Sequence, residues 1–543
     1  MDAGDFSPAQ ESGFGSAGRR YGDFVRFLLK SAAVGAAAGL VGVAFRLALS
    51  GAESWREQVL AWGRGLPGPG WLLLPAIGAL IGGLAGWLTE FAPESAGSGI
   101  PHVEAVLTHG RDLTWWRLIP LKFLGGVMAI GAAGLSLGRE GPTVQMGAAA
   151  GQAVSKAMRQ PRAVELQLVA CGAGAGLAAA FNAPLAGVVF VLEELRRNLS
   201  PYVLGGAVAA CVVADIVAWL TVGPRAAFQV VQFHTLPLAA LPLFVLLGAL
   251  AGLLGAAFNR GLEESLELAS RLRGVPRWVR AASAASLAGL LGYFLPQVLG
   301  GGHPLAMDLI AGKVQAGFGL LLILLAAKYL LTMVSYGAGV PGGIFLPLLT
   351  LGALLGGIVG LSGRVFFPGL TGLPPSLVIV GMAACFVAIV RAPLTGVILI
   401  IELTGRYQQM LPLLLACSVS YLVAELVGSP PIYEALLQRE IARGGATQAD
   451  LDEDTSLLEL TVETGAPACG CQVMDLPVPL DCLLVSVRRG PREMIPRGHT
   501  KLMEGDVLRV MVPAGRAGAI HDDFAALACC RLAKSPSQKS CAE

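Results

Sequence analysis

The chain has 543 residues, of which 54% are hydrophobic and 14% are charged, with a formal net charge of +2. A soluble domain carries about 25% charged residues, so composition alone places most of this chain in a membrane. The small net charge gives no footing for nucleic-acid binding, and no nucleic-acid partner is expected. Residues 1–22 are rich in Gly, Ser and Asp and hold no apolar run. That reads as a disordered N-terminus without a cleavable signal peptide. Arg19, Arg20, Arg26 and Lys30 then flank the apolar run from Phe27 to Leu49. By the positive-inside rule the N-terminus is cytoplasmic. Further apolar runs follow at about 71–88, 118–137, 165–192, 203–222, 236–258, 281–299, 316–336, 345–362, 376–403 and 410–427. Some are too long for one span and some too short, which predicts tilted and partial helices. The 72 glycines favour close helix packing and helix breaks.

An internal repeat runs through these segments. Ala183-Pro184-Leu185-Ala186-Gly187-Val188 recurs as Ala392-Pro393-Leu394-Thr395-Gly396-Val397. Each copy continues through apolar residues to a glutamate, Glu193 in the first and Glu402 in the second. Upstream, the Gly138-x-x-x-Pro142 pattern is echoed by Gly343-x-x-x-Pro347. Matched breaks a little over two hundred residues apart fit a transporter built from internal repeats, with its site at their junction.

The chemistry centres on Gly138-Arg139-Glu140-Gly141-Pro142. A carboxylate at the middle of a spanning helix costs roughly 3 kcal/mol on insertion scales. The glycines and proline around Glu140 interrupt the helix there. A broken membrane helix carrying an ionisable group is a common way to build an ion site. Gly97-Ser98-Gly99-Ile100-Pro101 reads as a second helix-start loop, whose free amides favour anions and whose Ser98 adds an uncharged donor, or as a simple turn capping a helix. Gly337-Ala338-Gly339-Val340-Pro341-Gly342 leads into Gly343-Ile344-Phe345-Leu346-Pro347 and presents a third such loop or a close helix crossing. Tyr433 follows the last apolar run, as a phenol donor into a pore or an interfacial anchor. Glu193 and Glu194 close the first repeat beside Arg196 and Arg197, either as a site or as an interfacial ion-paired cluster. Arg139 is open between a pore cation and a structural partner for a carboxylate.

From about residue 440 the character changes. Residues 441–455 are polar, with Gly444-Gly445 and then Asp450, Asp452, Glu453 and Asp454, and read as a linker. Leu457–Glu463, Cys482–Arg489 and Asp506–Val512 alternate as strands do, predicting a small soluble α+β domain. The final residues, from about 531, read as disordered. Of the ten cysteines, Cys171, Cys211, Cys385 and Cys417 lie in apolar segments as small hydrophobes. Cys469-x-Cys471 and Cys529-Cys530 match no zinc spacing well. No cofactor, no metal and no enzymatic activity are expected.

Taken in order, the motifs at 97–101, 138–142, Phe181-Asn182-Ala183-Pro184-Leu185-Ala186-Gly187, 342–347 and Tyr433 resemble the CLC family of chloride channels and proton-coupled chloride antiporters. The resemblance covers about residues 20–440. It implies an all-α polytopic fold of about eighteen tilted and partial helices in two inverted repeats, assembled as a homodimer. It implies that Ser98 and Tyr433 hold chloride and that the amides of Ile344 and Phe345 line its path. Gly97, Gly99, Arg139, Gly141 and Pro142 would shape that path. Glu140 would be the external gate and proton acceptor. Glu194 matches the internal proton-transfer glutamate of the antiporters, with Glu193 beside it. That acid favours a chloride–proton exchanger over a passive gated chloride channel of the same fold. Ser98 favours chloride over nitrate. His102 departs from bacterial members that carry an acid there, leaving a surface histidine or a pH-sensitive charge. Residues 456–530 resemble the TrkA-C half of RCK domains, which implies regulation by a small ligand or ion. A potassium transport component is the third reading, and no Thr-Val-Gly-Tyr-Gly filter supports it. The expected order is therefore 1–22 disordered, 23–440 CLC-like membrane domain, 441–455 linker, 456–530 TrkA-C-like regulatory domain and 531–543 disordered. The expected location is the inner membrane of a bacterium, with both termini cytoplasmic.

Overall fold

The computed structural model describes residues 12–513, apart from 67–69, 109–110, 112, 197–199, 224–227, 229–237, 273, 315–316, 367–372, 444–454, 463–465, 477, 480–481 and 491. The chain divides into two compact units, Met1–Leu437 and Gln438–Glu543.

The first unit is helical, because backbone in a bilayer must satisfy its own hydrogen bonds. It opens with α1 (Ser12–Gly65), α2 (Gly70–Phe91), α3 (Ile100–Thr108) and α4 (Trp115–Gly126). Next come α5 (Glu140–Ala157), α6 (Arg162–Phe181), α7 (Pro184–Phe190) and α8 (Pro201–Val222). The second half holds α9 (Leu241–Arg271), α10 (Arg277–Phe294), α11 (His303–Ile310), α12 (Phe318–Gly337) and α13 (Phe345–Phe366). It ends with α14 (Leu373–Val390), α15 (Pro393–Thr404), α16 (Met410–Leu426) and α17 (Ile432–Arg443). Among the described residues, 8 helices are long and apolar enough to cross a membrane. Others, such as α3, α7 and α11, are too short to do so. Most candidate spans expose apolar side chains, but α6 and α13 are buried over 83% and 89% of their most apolar stretch. These two form the centre of the unit.

Both overlong apolar runs are broken in the same way. Run 165–192 splits at Asn182 (φ 53°) and run 376–403 at Arg391 (φ 69°). Each left-handed residue ends a helix, and Pro184 or Pro393 starts the next, where its missing N–H costs nothing. Helix α1 begins at Ser12, so residues 12–22 are helical where disorder was expected. Once Phe27 to Leu49 nucleates a helix, each added residue gains a hydrogen bond without a new nucleation cost. At the other end, α17 continues through 441–443, the first residues of the expected linker.

The second unit contains an antiparallel sheet of β1 (Thr455–Thr461), β2 (Leu483–Arg489), β3 (Arg492–Met494) and β4 (Val507–Pro513), in the order β1-β4-β2-β3. Alternating residues Leu460, Val487, Leu508, Val510 and Val512 fill its core, as the sequence pattern required. The short β3 had no sequence signal of its own. Asp506 accepts a two-pronged bond from Arg489 (2.8 and 2.7 Å) and a third from the Met503 N–H (2.8 Å). Cys469 is exposed and Cys471 is buried, its thiol donating to the Pro467 carbonyl. The described residues hold no cluster of three metal-ligating side chains. Cys529, Cys530, Cys541 and the expected tail 531–543 lie outside the described residues.

Candidate functional site

Three interrupted helices meet at one place because their leading loops pair edge to edge. The Gly97 N–H donates to the Val340 carbonyl (3.0 Å), and the Gly342 N–H donates back to the Gly97 carbonyl (3.0 Å). Gly138 and Gly343 exchange both bonds, at 2.6 and 2.8 Å. The loops before α3, α5 and α13 are thereby locked together. The helix starts present first-turn amides that have no acceptor within their own helices. Partial positive charge from three helix ends gathers where no cation side chain is needed.

Glycine is required at two points of this junction. Gly99 has φ +84°, and a Cβ there would lie 2.2 Å from the Gln145 side chain. A Cβ on Gly141 would lie 2.4 Å from the Ser98 hydroxyl. Gly141 therefore lets α5 approach the serine loop closely. Pro142 sits in the first turn of α5, where an N–H is not used by the helix.

Glu140 opens α5 and is fully buried. Its carboxylate lies close to its own amide and to the amide of Leu346, the second residue of α13. Neither oxygen forms a well-aligned hydrogen bond. The Arg139 guanidinium stands 4.0 Å away, so the cation partners the carboxylate loosely. Ile344 and Phe345 are fully buried at the start of α13, and the Phe345 ring packs on Phe181 and Phe386.

Tyr433 is the largest fully buried side chain of the protein's described residues. Its phenol lies by the Ser98 hydroxyl and within electrostatic reach of Glu194, Tyr336 and Glu140. The Ser98 and Tyr433 hydroxyls are buried, and neither makes a well-formed hydrogen bond to the protein. Buried donors are normally satisfied. Two uncharged hydroxyls converging beside helix-start amides suit a dehydrated anion, so the residues present fit chloride as a substrate.

The two adjacent acids of the first repeat separate. Glu194 is buried and lies within electrostatic reach of Tyr433. Glu193 turns away to α15. Its Oε1 accepts from the Leu394 N–H (3.0 Å), and its Oε2 accepts from the Thr395 N–H and hydroxyl (both 2.7 Å). The repeat-related Glu402 does the same for α7, accepting from the Leu185 N–H (3.0 Å) and the Ala186 N–H (2.7 Å). Each helix end caps the start of the other, so α7 and α15 run antiparallel, as inverted halves require. His102 is buried on α3, and its Nδ1 pairs with the Gln145 amide nitrogen (3.0 Å).

Two residues missed from the sequence hold this frame. Lys122, fully buried on α4, donates to the carbonyls of Ser95 (2.8 Å) and Gly97 (2.7 Å). Lys328, fully buried on α12, donates to the carbonyls of Val298 (3.0 Å) and Gly300 (2.6 Å). Both lie inside apolar runs, and that is the signal by which they were findable.

Residues 77–425 match the voltage gated chloride channel family, and residues 457–525 match the TrkA-C domain. The H(+)/Cl(-) exchange transporter ClcA of Vibrio parahaemolyticus is 39% identical over 434 residues, covering 79% of this chain and 92% of that protein. The ClcA protein of Salmonella arizonae is 37% identical over 442 residues, covering 80% and 93%. Among solved structures, a slow cyanobacterial Cl-/H+ antiporter superposes with a TM-score of 0.73 at 36% identity, covering 78% of this chain and 99% of its own. A eukaryotic CLC transporter follows with a TM-score of 0.65 at 27% identity, covering 77% and 74%. The chain is a member of the voltage gated chloride channel (CLC) family and carries a C-terminal TrkA-C domain.

Proposed function

We propose that this protein is a secondary active transporter that exchanges chloride for protons, with Glu140 as its gate. The observation that carries the reading is the juxtaposition at Tyr433. This phenol and Ser98 offer buried donors to an anion, while Glu140 and Glu194 lie within electrostatic reach of the same phenol. Ionised Glu140 is itself an anion held near helix-start amides, so it competes with chloride for that positive potential. Protonation removes the charge, releases the carboxyl and admits chloride. One proton is thereby linked to anion movement. Glu194 supplies a second buried acid from which that proton is delivered. The names of the ClcA relatives and of the cyanobacterial antiporter support the same activity.

On this reading the protein works as a homodimer in the inner membrane of a bacterium, with both termini in the cytoplasm. The TrkA-C domain regulates it through a small ligand or ion. The test is reconstitution in liposomes under a chloride gradient while external pH is recorded. Exchange predicts protons driven against their own gradient by chloride. Chloride movement without them leaves a passive channel.

A further inference from the structure

We propose that Glu193 is a positioning residue, which aims Glu194 by clamping its helical turn to the start of α15, and does not itself carry the proton. The inference rests on the exchange reading above. Residues Val191–Leu195 form a π-turn, closed by the Arg196 N–H donating to the Val191 carbonyl (2.9 Å). A π-turn breaks the regular α ladder and marks functional sites. The direction of side chains in such a turn needs an external reference. Glu193 provides it through three hydrogen bonds to Leu394 and Thr395, residues that begin the repeat-related helix. Successive side chains on a helix diverge by about 100°. Holding Glu193 toward α15 therefore fixes Glu194 in its buried orientation.

The same three bonds argue against Glu193 as a carrier. Both of its oxygens already act as acceptors. A proton on Oε2 would face the Thr395 N–H and hydroxyl and break the cap. The mirror pair supplies an internal control. Glu402 caps α7 with the same geometry, but its neighbours in sequence are Ile401 and Leu403, so it has no adjacent acid to aim. The Thr395 hydroxyl, absent at the equivalent Ala186, makes the Glu193 clamp the stronger of the two.

The experiment measures the proton-to-chloride ratio in liposomes for the wild type, Glu193→Gln, Thr395→Val and Glu402→Gln, together with the melting temperature of each in detergent. Glu193→Gln lowers proton delivery by about fivefold, the factor that loss of one helix cap supplies, while chloride turnover changes by less than about twofold. Thr395→Val shifts the ratio in the same direction by a smaller factor and decides the matter if Glu193→Gln does not fold. Glu402→Gln lowers the melting temperature as Glu193→Gln does but keeps the wild-type ratio. A wild-type ratio in both Glu193→Gln and Thr395→Val overturns the inference, as does an equal loss of coupling in Glu402→Gln. A wild type that moves chloride with no protons overturns the exchange reading and this one together.

Discussion

Glu140 is a fully buried carboxylate with two backbone amides close by and one guanidinium at 4.0 Å. Under the proposed exchange its charge, rather than its shape, links protons to chloride. Glu140→Gln keeps the shape and removes the titration. Proton movement in the liposome assay should fall to the leak level while chloride flux persists. Residual coupling would remove Glu140 from the gate. Ser98 and Tyr433 contribute donors rather than charge. A hydrogen bond to a charged group is worth about 1.5–3 kcal/mol, and 1.4 kcal/mol is about tenfold in affinity. Ser98→Ala and Tyr433→Phe should therefore each weaken chloride binding by about tenfold or more in titration calorimetry. Unchanged affinity in both would place the anion elsewhere. The motif residues were legible because each breaks a rule of membrane helices: an acid, a glycine pair or a proline where apolar residues belong. Lys122 and Lys328 break the same rule, yet single lysines in apolar runs carry no spacing pattern, and their partners are carbonyls that only the fold brings near.

At the scale of elements, the proline-led helices α7 and α15 were visible as a repeat. Their mutual capping was not, because a bond between Glu193 and Leu394 spans 201 residues and leaves no local trace. The same is true of the zipped loops at Gly97, Gly138 and Gly343. Lys122 anchors one of them. Lys122→Met leaves the buried Ser95 carbonyl without its ammonium donor, at a cost of about 1–3 kcal/mol. A lower melting temperature and weaker chloride binding should appear together, since the loop carries Ser98. In the sheet, strands β1, β2 and β4 follow from period-two alternation, whereas β3 spans only Arg492–Met494 and is too short to read. Burial raises the Asp506 pKa, but the Arg489 guanidinium and the Met503 N–H outweigh it and hold the carboxyl below the ordinary aspartate value. The lowered folded pKa gives stability that is complete above the unfolded value of about 4. That stability is lost as pH falls through the folded value. Hydrogen exchange of the full-length protein should show β2 and β4 protected down to about pH 4 and weakening below it. Arg489→Ala should weaken protection at neutral pH and flatten that acid-side loss, and an unchanged profile would remove the pair from the sheet's acid response.

For the whole molecule, the first half alone supplies two buried acids, Glu140 at the start of α5 and Glu194 in the turn that follows α7. A simple pore needs the anion-binding loops and nothing more. The buried Glu194 is the feature that a pore does not explain. The most direct measurement is the ratio of protons to chloride ions moved by the full-length wild-type protein in liposomes, compared with Glu194→Gln in the same preparation. The wild type is predicted to move protons uphill at a fixed ratio to chloride, and Glu194→Gln to move chloride with no uphill proton flux. Chloride flux in the wild type with no uphill proton movement would contradict exchange, and full coupling in Glu194→Gln would contradict the proton route through that residue.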